Sequence, residues 1–193
     1  LGLPVPYIII NSDDPLDVAR LNQGRKNWSM EHYLHHHCAR GKMDYKICKS
    51  KMQEFGLPVS ETIILLLKLT SKWRNIHEQF KRGDFKIPAG GITNCDRIGS
   101  QLMALKKYLL GMDNTDRRIK RQMVTAYIIA DRHPRFNYDR FKNAIKTKSA
   151  WLLTGTSARD YLAIFQKIYN SGLKPNKRIN LLDFFDTREY TQE

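Results

Sequence analysis

The chain has 193 residues, 41% of them hydrophobic and 27% charged, which is an ordinary balance for a globular protein with one or two apolar cores. Its formal net charge of +14 is the strongest signal in the composition and indicates a polyanionic partner, most commonly a phosphate backbone. The longest apolar run, residues 63–67, is too short to span a membrane, and the three widely spaced cysteines argue against a disulfide framework and favour a reducing cytoplasm.

Residues 1–28 are predicted to contain one β-strand followed by one short helix. The strand covers residues 4–10, where two prolines precede a run of Tyr and Ile residues. Asp13 or Asp14 caps the helix, which has a proline in its first turn. Because one strand is not stable alone and the first residue is not Met, we expect partner strands upstream, in a larger protein, or on another molecule.

Residues 29–90 are predicted to form a helical domain that opens with a clear N-cap. Ser29 precedes the first helix, and Trp28 and Tyr33 are spaced to pack against each other as a hydrophobic staple. Gly41 has the residue type that commonly follows a helix, so we expect the first helix to end there.

Two more helical patterns follow in this domain. A second helix is predicted over 44–55 and is expected to end at Gly56, and a third, capped by Ser60, is predicted over 61–82 with an interruption near 70–71. The stretch 83–91 is rich in glycine and contains a proline, so it marks the predicted domain boundary.

The segment 44–69 is typical of a helix-turn-helix, because a short turn joins its two helices. Such units place the first residues of the second helix in the major groove of DNA. The candidate DNA contacts there are Ser60, Thr62 and Lys68. Glu61 would repel phosphate, so two core helices joined by a turn is an equally supported alternative.

Residues 91–193 are predicted to form a basic helical carboxy-terminal domain. Residues 111–180 contain 15 Lys and Arg against 5 Asp and Glu, a local net charge of +10. Ser157 and Asp160 have the spacing of a capping box. The predicted helical stretches are 93–110, 115–132, 138–152 and 157–171.

The cations of this domain are the main candidates for phosphate contacts, because few acidic residues lie near them in the sequence. Arg132 and Arg135 flank a turn, and four aromatic residues lie between the basic positions, where they could stack on bases or, as the commoner alternative, form core. The predicted phosphate-binding residues are Arg117, Arg118, Lys120, Arg121, Arg140, Lys142 and Lys146.

The sequence offers little support for a metal site or for catalysis. The residues His32, His35, His36, His37 and Cys38 cluster, but no second group is spaced to complete a zinc site. There is no nucleophile elbow and no phosphate-binding glycine loop. We therefore expect neither a metal nor a cofactor, and an enzyme is not favoured.

The order of features over residues 1–69 resembles the ParB-like proteins, which are ParB/sulfiredoxin-type DNA-binding proteins found in phages and mobile elements. In that family an arginine-rich box and a strand precede a short helix, an Asn-x-x-Arg element and a helix-turn-helix. Here the strand at 4–10 and the helix at 14–21 are followed by Asn22-Gln-Gly-Arg25. The box would lie upstream of residue 1.

The resemblance implies roles for three residues. Asn22 and Arg25, with Lys26 beside them, would face phosphate in a nucleotide- or DNA-responsive pocket, where an amide fixes geometry and a guanidinium binds phosphate through two hydrogen bonds. A helix-capping Asn and a solvated Arg are the alternative. Leu21 stands where the family has Glu, which argues against CTP binding or hydrolysis.

Together these features predict a mainly α protein: a remnant of a ParB-type α/β domain (1–28), a helix-turn-helix-like domain (29–90) and a basic helical region (91–193). The expected function is DNA binding in partition, replication control or regulation in a phage, plasmid or mobile element. The expected partner is double-stranded DNA. The sequence is also compatible with a homodimer, and no association with a membrane is expected. The alternatives are a helical protein-protein adaptor with an apolar patch near 181–185, a CTP-switched or nuclease-like ParB relative, and RNA binding.

Overall fold

The computed structural model describes residues 28–69, 73–109, 119–148 and 155–185, and these residues are mainly helical, which confirms the predicted fold class. The strand predicted at 4–10 and the rest of the ParB-type remnant lie outside the described residues and stay predictions. The helices are α1 (Met30–Ala39), α2 (Met43–Phe55), α3 (Val59–Leu67), α4 (Trp73–Arg82), α5 (Gly91–Leu109), α6 (Arg121–Arg132), α7 (Tyr138–Lys148) and α8 (Ala158–Asn170), followed by 3₁₀ turns at Pro175–Lys177 and Leu182–Phe184.

The ends of the first two helices are those that the sequence predicted. Ser29 is the N-cap of α1, and its hydroxyl oxygen accepts a hydrogen bond from the backbone N–H of His32 at 3.3 Å. The rings of Trp28 and Tyr33 lie 5.3 Å apart across this cap, which confirms the staple. Gly56 ends α2 in the left-handed conformation, with φ of +58°, a geometry that favours glycine.

The predicted start of the third helix is wrong by two residues. Helix α3 begins at Val59, and the residue that caps it is Pro58 rather than Ser60. The carbonyl of Pro58 accepts hydrogen bonds from both the backbone N–H and the hydroxyl of Thr62, at 3.1 and 3.0 Å. Proline has the extended backbone that an N-cap requires, so the helix starts earlier than the serine suggests.

Helix α3 is the central helix of the described fold, and most of its residues are buried. Residues 61–66 are buried without a break, and the helix packs against α2, α5 and α6. A helix enclosed in this way cannot lie in a DNA groove. The environment of α3 therefore fits two core helices joined by a turn, and the helix-turn-helix role stays unconfirmed.

One hydrophobic cluster continues across the predicted domain boundary at residue 90. It joins residues of α3 and α4, such as Leu65 and Phe80, to Leu102 of α5. Further along, α6 packs closely on α8, and the rings of Phe141 and Phe165 lie 5.1 Å apart between α7 and α8. The helices on the two sides of the boundary thus share a core.

The break predicted at 83–91 is confirmed, but it is packed rather than loose. Phe85 is buried, and the hydroxyl of Tyr45 donates to the carbonyl of Phe80 at 2.9 Å and accepts from the N–H of Phe85 at 3.3 Å. The carboxylate of Asp44 accepts from the N–H of Ile87 at 3.1 Å. These bonds hold the segment against the start of α2.

Helix α6 begins later than the predicted 115–132, since Ile119 and Lys120 precede its first turn. Helices α7 and α8 match the predicted stretches where these are described, and the capping box of Ser157 and Asp160 is confirmed by bonds of 2.9 and 3.1 Å. None of the helices in the described ranges is long and apolar enough to cross a bilayer.

Candidate nucleic-acid interface

Eight of the thirteen predicted site residues lie within the described residues, and five do not. Those that lie outside the described residues are Asn22, Arg25, Lys26, Arg117 and Arg118. Their proposed contacts with phosphate stay predictions.

The three residues predicted from the helix-turn-helix pattern do not form a common surface. Thr62 is fully buried and donates its hydroxyl to a carbonyl of its own helix. Ser60 is half-buried and donates to the adjacent carboxylate of Glu61. Lys68 ends α3, and its Nζ lies 3.8 Å from the carboxylate of Asp131 on α6. These side chains satisfy groups within the fold, so they are left out of the interface proposed below.

Lys120 and Arg121 lie together at the start of α6, as the sequence predicted for cations at this helix. Lys120 is the exposed N-cap, and the guanidinium of Arg121 lies 5.5 Å from the ring centre of Trp73. Helix α6 has no acidic residue in its first turn. Because the amino end of a helix is the positive end of its dipole, Lys120 and Arg121 do not stabilise α6 through the dipole.

Arg140 has a structural role as well as a charge. Its Nε donates to the carbonyl of Tyr169 at 3.0 Å, and its Nη2 donates to the carbonyl of Ser171 at 2.9 Å. The guanidinium also lies 5.3 Å from the Tyr169 ring centre. A cation at the carboxyl end of a helix compensates the negative end of its dipole. Arg140 therefore ties the start of α7 to the end of α8.

Lys142 is half-buried and Lys146 is exposed, and both lie on the flank of α7 beside its buried face. Tyr138, Lys142 and Lys146 are spaced four residues apart, so they form one row along the helix. The Nζ of Lys142 lies 5.7 Å from the ring centre of Tyr138. Phe141 and Ile145, which directly precede the two lysines, are fully buried. We call Tyr138, Lys142 and Lys146 the α7 row.

The carboxyl ends of α6 and α8 meet the start of α7 at one end of the molecule. The hydroxyl of Tyr169 donates to the carbonyl of Arg135 at 2.9 Å and accepts from the N–H of Asn137 at 3.3 Å. The Nη2 of Arg135 lies 3.5 Å from the carbonyl oxygen of Asn176, to which it donates. These bonds bring the turn after α6 against the loop that follows α8.

That loop is held in place by side chains of α8. The amide of Asn170 donates to the carbonyl of Ile179 at 2.8 Å and accepts from its N–H at 2.9 Å. The Nε of Arg178 donates to the carbonyl of Leu173 at 3.2 Å. The loop presents Lys174 and Lys177 to solvent.

We call Arg135, Arg140, Lys174, Lys177 and Arg178 the basic end. Beside it lies an open cleft of about 600 Å³, bordered by the last turns of α8 and by the loop, with Arg178 in its wall.

The electrostatic surplus of the basic end has an identifiable cause. Residues 132–180 contain eleven Lys and Arg but only two acidic residues, Asp139 and Asp160. Asp160 lies at the other end of α8, about 20 Å away by helix length, where hydrogen bonds from Ser157 and Thr156 lower its pKa to about 2. In the described part of the chain, the side chains of Lys174 and Lys177 pair with no carboxylate.

Several cations in the first half of the fold form ion pairs with carboxylates. Lys81 lies 3.0 Å from Glu78, Arg97 binds both carboxylate oxygens of Asp131 at 2.7 Å, and Lys51 contacts Asp96. Among the described residues, the ion pairs between cations and carboxylates therefore lie mainly in the first half of the fold and at its contact with α6.

The residues that sequence reasoning missed are Lys174, Lys177 and Arg178. They lie in a loop, where the helical spacing used to select candidates does not apply. The signal was three cations within five residues directly after Gly172, a position typical of the end of a helix.

In class, the described chain is a basic, mainly helical protein with a surplus of cations at one end. Comparison with known protein families, with characterised proteins and with solved structures found no match to this chain. The resemblance to ParB-like proteins therefore stays a prediction.

Proposed function

We propose that this protein binds nucleic acid, with double-stranded DNA as its main partner, through the basic end and the α7 row. The observation that carries this proposal is the pair of exposed lysines, Lys174 and Lys177, without carboxylate partners among the described residues. They belong to a stretch of sequence, residues 132–180, that contains eleven cations and two acids. Phosphate backbones supply the complementary charge at regular spacing. Nothing in the packing of the fold requires these two lysines.

The strength of such binding should depend steeply on salt. Five cations are available for phosphate contacts: Lys142, Lys146, Lys174, Lys177 and Arg178. Each neutralised phosphate releases counterions, so five contacts give a slope of about −4 to −5 in a plot of log affinity against log salt. Affinity should then fall about 100-fold between about 100 and 300 mM salt.

The test is fluorescence anisotropy with a labelled duplex of about 20 base pairs over this salt range. The variant Lys174→Glu/Lys177→Glu should weaken binding at least tenfold and reduce the salt slope by about 2. The control is Lys46→Glu/Lys49→Glu on α2, which makes the same change in net charge away from the basic end. Binding that ignores salt, or equal losses in both variants, would refute the proposal. Competition with an RNA duplex decides between DNA and RNA.

The finer proposal is a ParB-like role in partition, replication control or regulation. Its support is the order of the strand, helix and Asn22-Gln-Gly-Arg25 element. We expect Arg25→Ala to reduce DNA affinity, because its guanidinium would contact phosphate, whereas Arg20→Ala should have little effect. Equal affinities of these two variants would remove the support for a ParB-like pocket.

A further inference from the structure

Phe184 is one of few large apolar side chains that are exposed in the described part of the chain. It is 41% exposed, and its ring lies 4.8 Å from the ring of His133, at an angle of 56° between the planes. His133 directly follows α6, at the same end of the molecule as Arg135. An exposed phenyl ring and a half-buried imidazole ring thus lie together at the edge of the basic end.

The His133 ring is fixed in orientation and connected to the basic end. Its Nδ1 accepts a hydrogen bond from the backbone N–H of Arg135 at 3.0 Å, and the side chain of Arg135 in turn donates to Asn176 in the basic loop. Burial, with a further contribution from Arg135, lowers the pKa of His133, so the ring is mainly uncharged at neutral pH. The neutral imidazole presents a flat aromatic face next to Phe184.

Phe184 is also held on a well-anchored segment, although it lies near the end of the described chain. Leu181 is fully buried, and its backbone N–H donates to the side-chain oxygen of Gln166 at 2.6 Å. The N–H of Phe184 closes a 3₁₀ turn onto the carbonyl of Leu181 at 3.1 Å. The exposed ring is therefore preorganised, and a ligand that covers it does not have to order the backbone first.

The surroundings of the ring favour a nucleobase over an apolar protein surface. Leu181 and Leu182 face the core and only Phe184 is strongly exposed, so this segment does not offer a continuous apolar patch. Arg135 lies on the side of His133, while one acid, Asp183, is adjacent to Phe184 and accepts a bond from Asn180 at 2.6 Å. Single-strand-binding surfaces combine cations that follow the backbone with aromatic rings that stack on bases.

We propose that Phe184 and His133 form a stacking platform for one unpaired base of a nucleic acid whose phosphates contact the basic end. The protein should therefore bind DNA with a short single-stranded overhang more tightly than a fully paired duplex of the same length. This inference rests on the proposed nucleic-acid binding and specifies the form of DNA that the surface prefers. Stacking of one base on an aromatic side chain corresponds to about a tenfold gain in affinity.

The test compares a blunt duplex with the same duplex carrying an overhang of a few thymidines, by fluorescence anisotropy at one salt concentration. The wild type should prefer the overhang about tenfold. Phe184→Leu keeps an apolar side chain but removes the aromatic face, so it should lose the preference and retain affinity for the blunt duplex. Phe184→Tyr should keep the preference. The control Ile92→Ala, at another exposed apolar residue, should change neither affinity.

Each outcome decides between the proposals. Equal, salt-dependent binding of both DNAs by the wild type would overturn the platform and leave the proposed function standing. A preference for the overhang that survives in Phe184→Leu would overturn the platform as well. Absence of salt-dependent binding to either DNA would overturn the proposed function itself. Circular dichroism of each variant checks that the helical content is unchanged.

Discussion

At the scale of single residues, the cations of this protein fall into two groups that differ in what their donors contact. Arg132 donates to the carbonyl of Lys68 at 2.9 Å, at the end of α3, and Arg140 donates to carbonyls at the end of α8. Both compensate helix carboxyl ends and would be needed in a protein with any function. Lys174 and Lys177 have no such contacts among the described residues, so they carry the functional argument.

Tyr45 has the clearest single-residue prediction for stability. Phenylalanine at this position would leave the N–H of Phe85 without its partner. It would also remove one of two hydrogen bonds to the carbonyl of Phe80, which still accepts from the N–H of Gly83 at 3.3 Å. We expect Tyr45→Phe to lower the free energy of unfolding by about 2 kcal/mol, measured by urea denaturation. Tyr138→Phe is the matched control, since the hydroxyl of Tyr138 bonds to nothing in the described ranges. Similar losses in both variants would contradict this account.

His37 predicts a dependence of stability on pH. It is fully buried, its Nε2 lies 3.0 Å from the carbonyl of Lys81, and its Nδ1 has no hydrogen-bond partner among the described residues. Burial lowers its pKa, with smaller effects in the same direction from Lys42, His36 and Arg40. The folded protein therefore holds a neutral His37, whereas the unfolded chain takes up a proton as the pH falls below 6.5.

Since the unfolded state binds more protons in this range, stability should be lower at about pH 5.5 than at about pH 7.5. His37→Gln should reduce this pH dependence, measured as the difference between the two free energies of unfolding. His35→Gln, at an exposed position of the same helix, should leave it unchanged. A pH dependence that both variants share with the wild type would show that other groups cause it.

At the scale of helices, the signals that the sequence carried were local ones. Ser29, Gly56 and Ser157 mark helix ends through bonds to residues within four positions, or through their own backbone conformation, and all three were predicted. The start of α3 was missed because serine is the more usual cap, while Pro58 satisfies the N-cap geometry here through its fixed backbone angle.

Site residues were harder to predict than helix ends, because their roles depend on contacts between distant parts of the chain. Thr62 has the right type and position for a DNA contact, but three neighbouring helices bury α3. Lys142 and Lys146 were predictable as accessible positions, since helical spacing places them outside the buried face that contains Phe141. The position of the loop with Lys177 could not be predicted from the sequence. It depends on the hydrogen bond from the Asn170 amide to the carbonyl of Ile179, which no sequence pattern indicates.

Packing of α2 against α5 gives a prediction at this scale. A Cβ added at Gly99 would lie 2.7 Å from the ring of Phe55, so alanine does not fit unless the ring moves. Alanine gains about 1 kcal/mol in helix propensity, but overpacking costs about 1–3 kcal/mol. We therefore expect Gly99→Ala to lower the melting temperature and Ser100→Ala, at the next and exposed residue, to raise it slightly. The double variant Gly99→Ala/Phe55→Leu should recover part of the loss; no recovery would show that the ring is not the obstacle.

At the scale of the whole molecule, the core is continuous from α1 to the segment after α8. The bidentate pair of Arg97 and Asp131 links α5 to α6, and Lys68 adds a contact from the end of α3. The glycines and the proline at 83–91 predict a domain boundary. A short irregular segment with a buried Phe85 can, however, also connect two helices of one core.

This continuity predicts a single cooperative unfolding transition for the described helices. Far-UV circular dichroism, which follows all helices, and the tryptophan fluorescence of a Trp151→Phe variant, which follows Trp28 and Trp73 in the first half, should give the same midpoint in urea. Two separate transitions, or a fluorescence midpoint below that of circular dichroism, would instead support independent domains on either side of residue 90.

The length of α6 has a consequence for the size of the proposed DNA site. Lys120 and Arg121, which lie outside the basic end, are at the start of α6, and Arg135 of the basic end lies beyond its last residue. Twelve helical residues separate the two groups of cations by about 18 Å. In B-form DNA that distance corresponds to about five base-pair steps. A duplex shorter than this can reach one group of cations at a time, so affinity measured against oligonucleotide length should increase in two stages. The second increase should be absent from a variant with Lys120→Glu and Arg121→Glu.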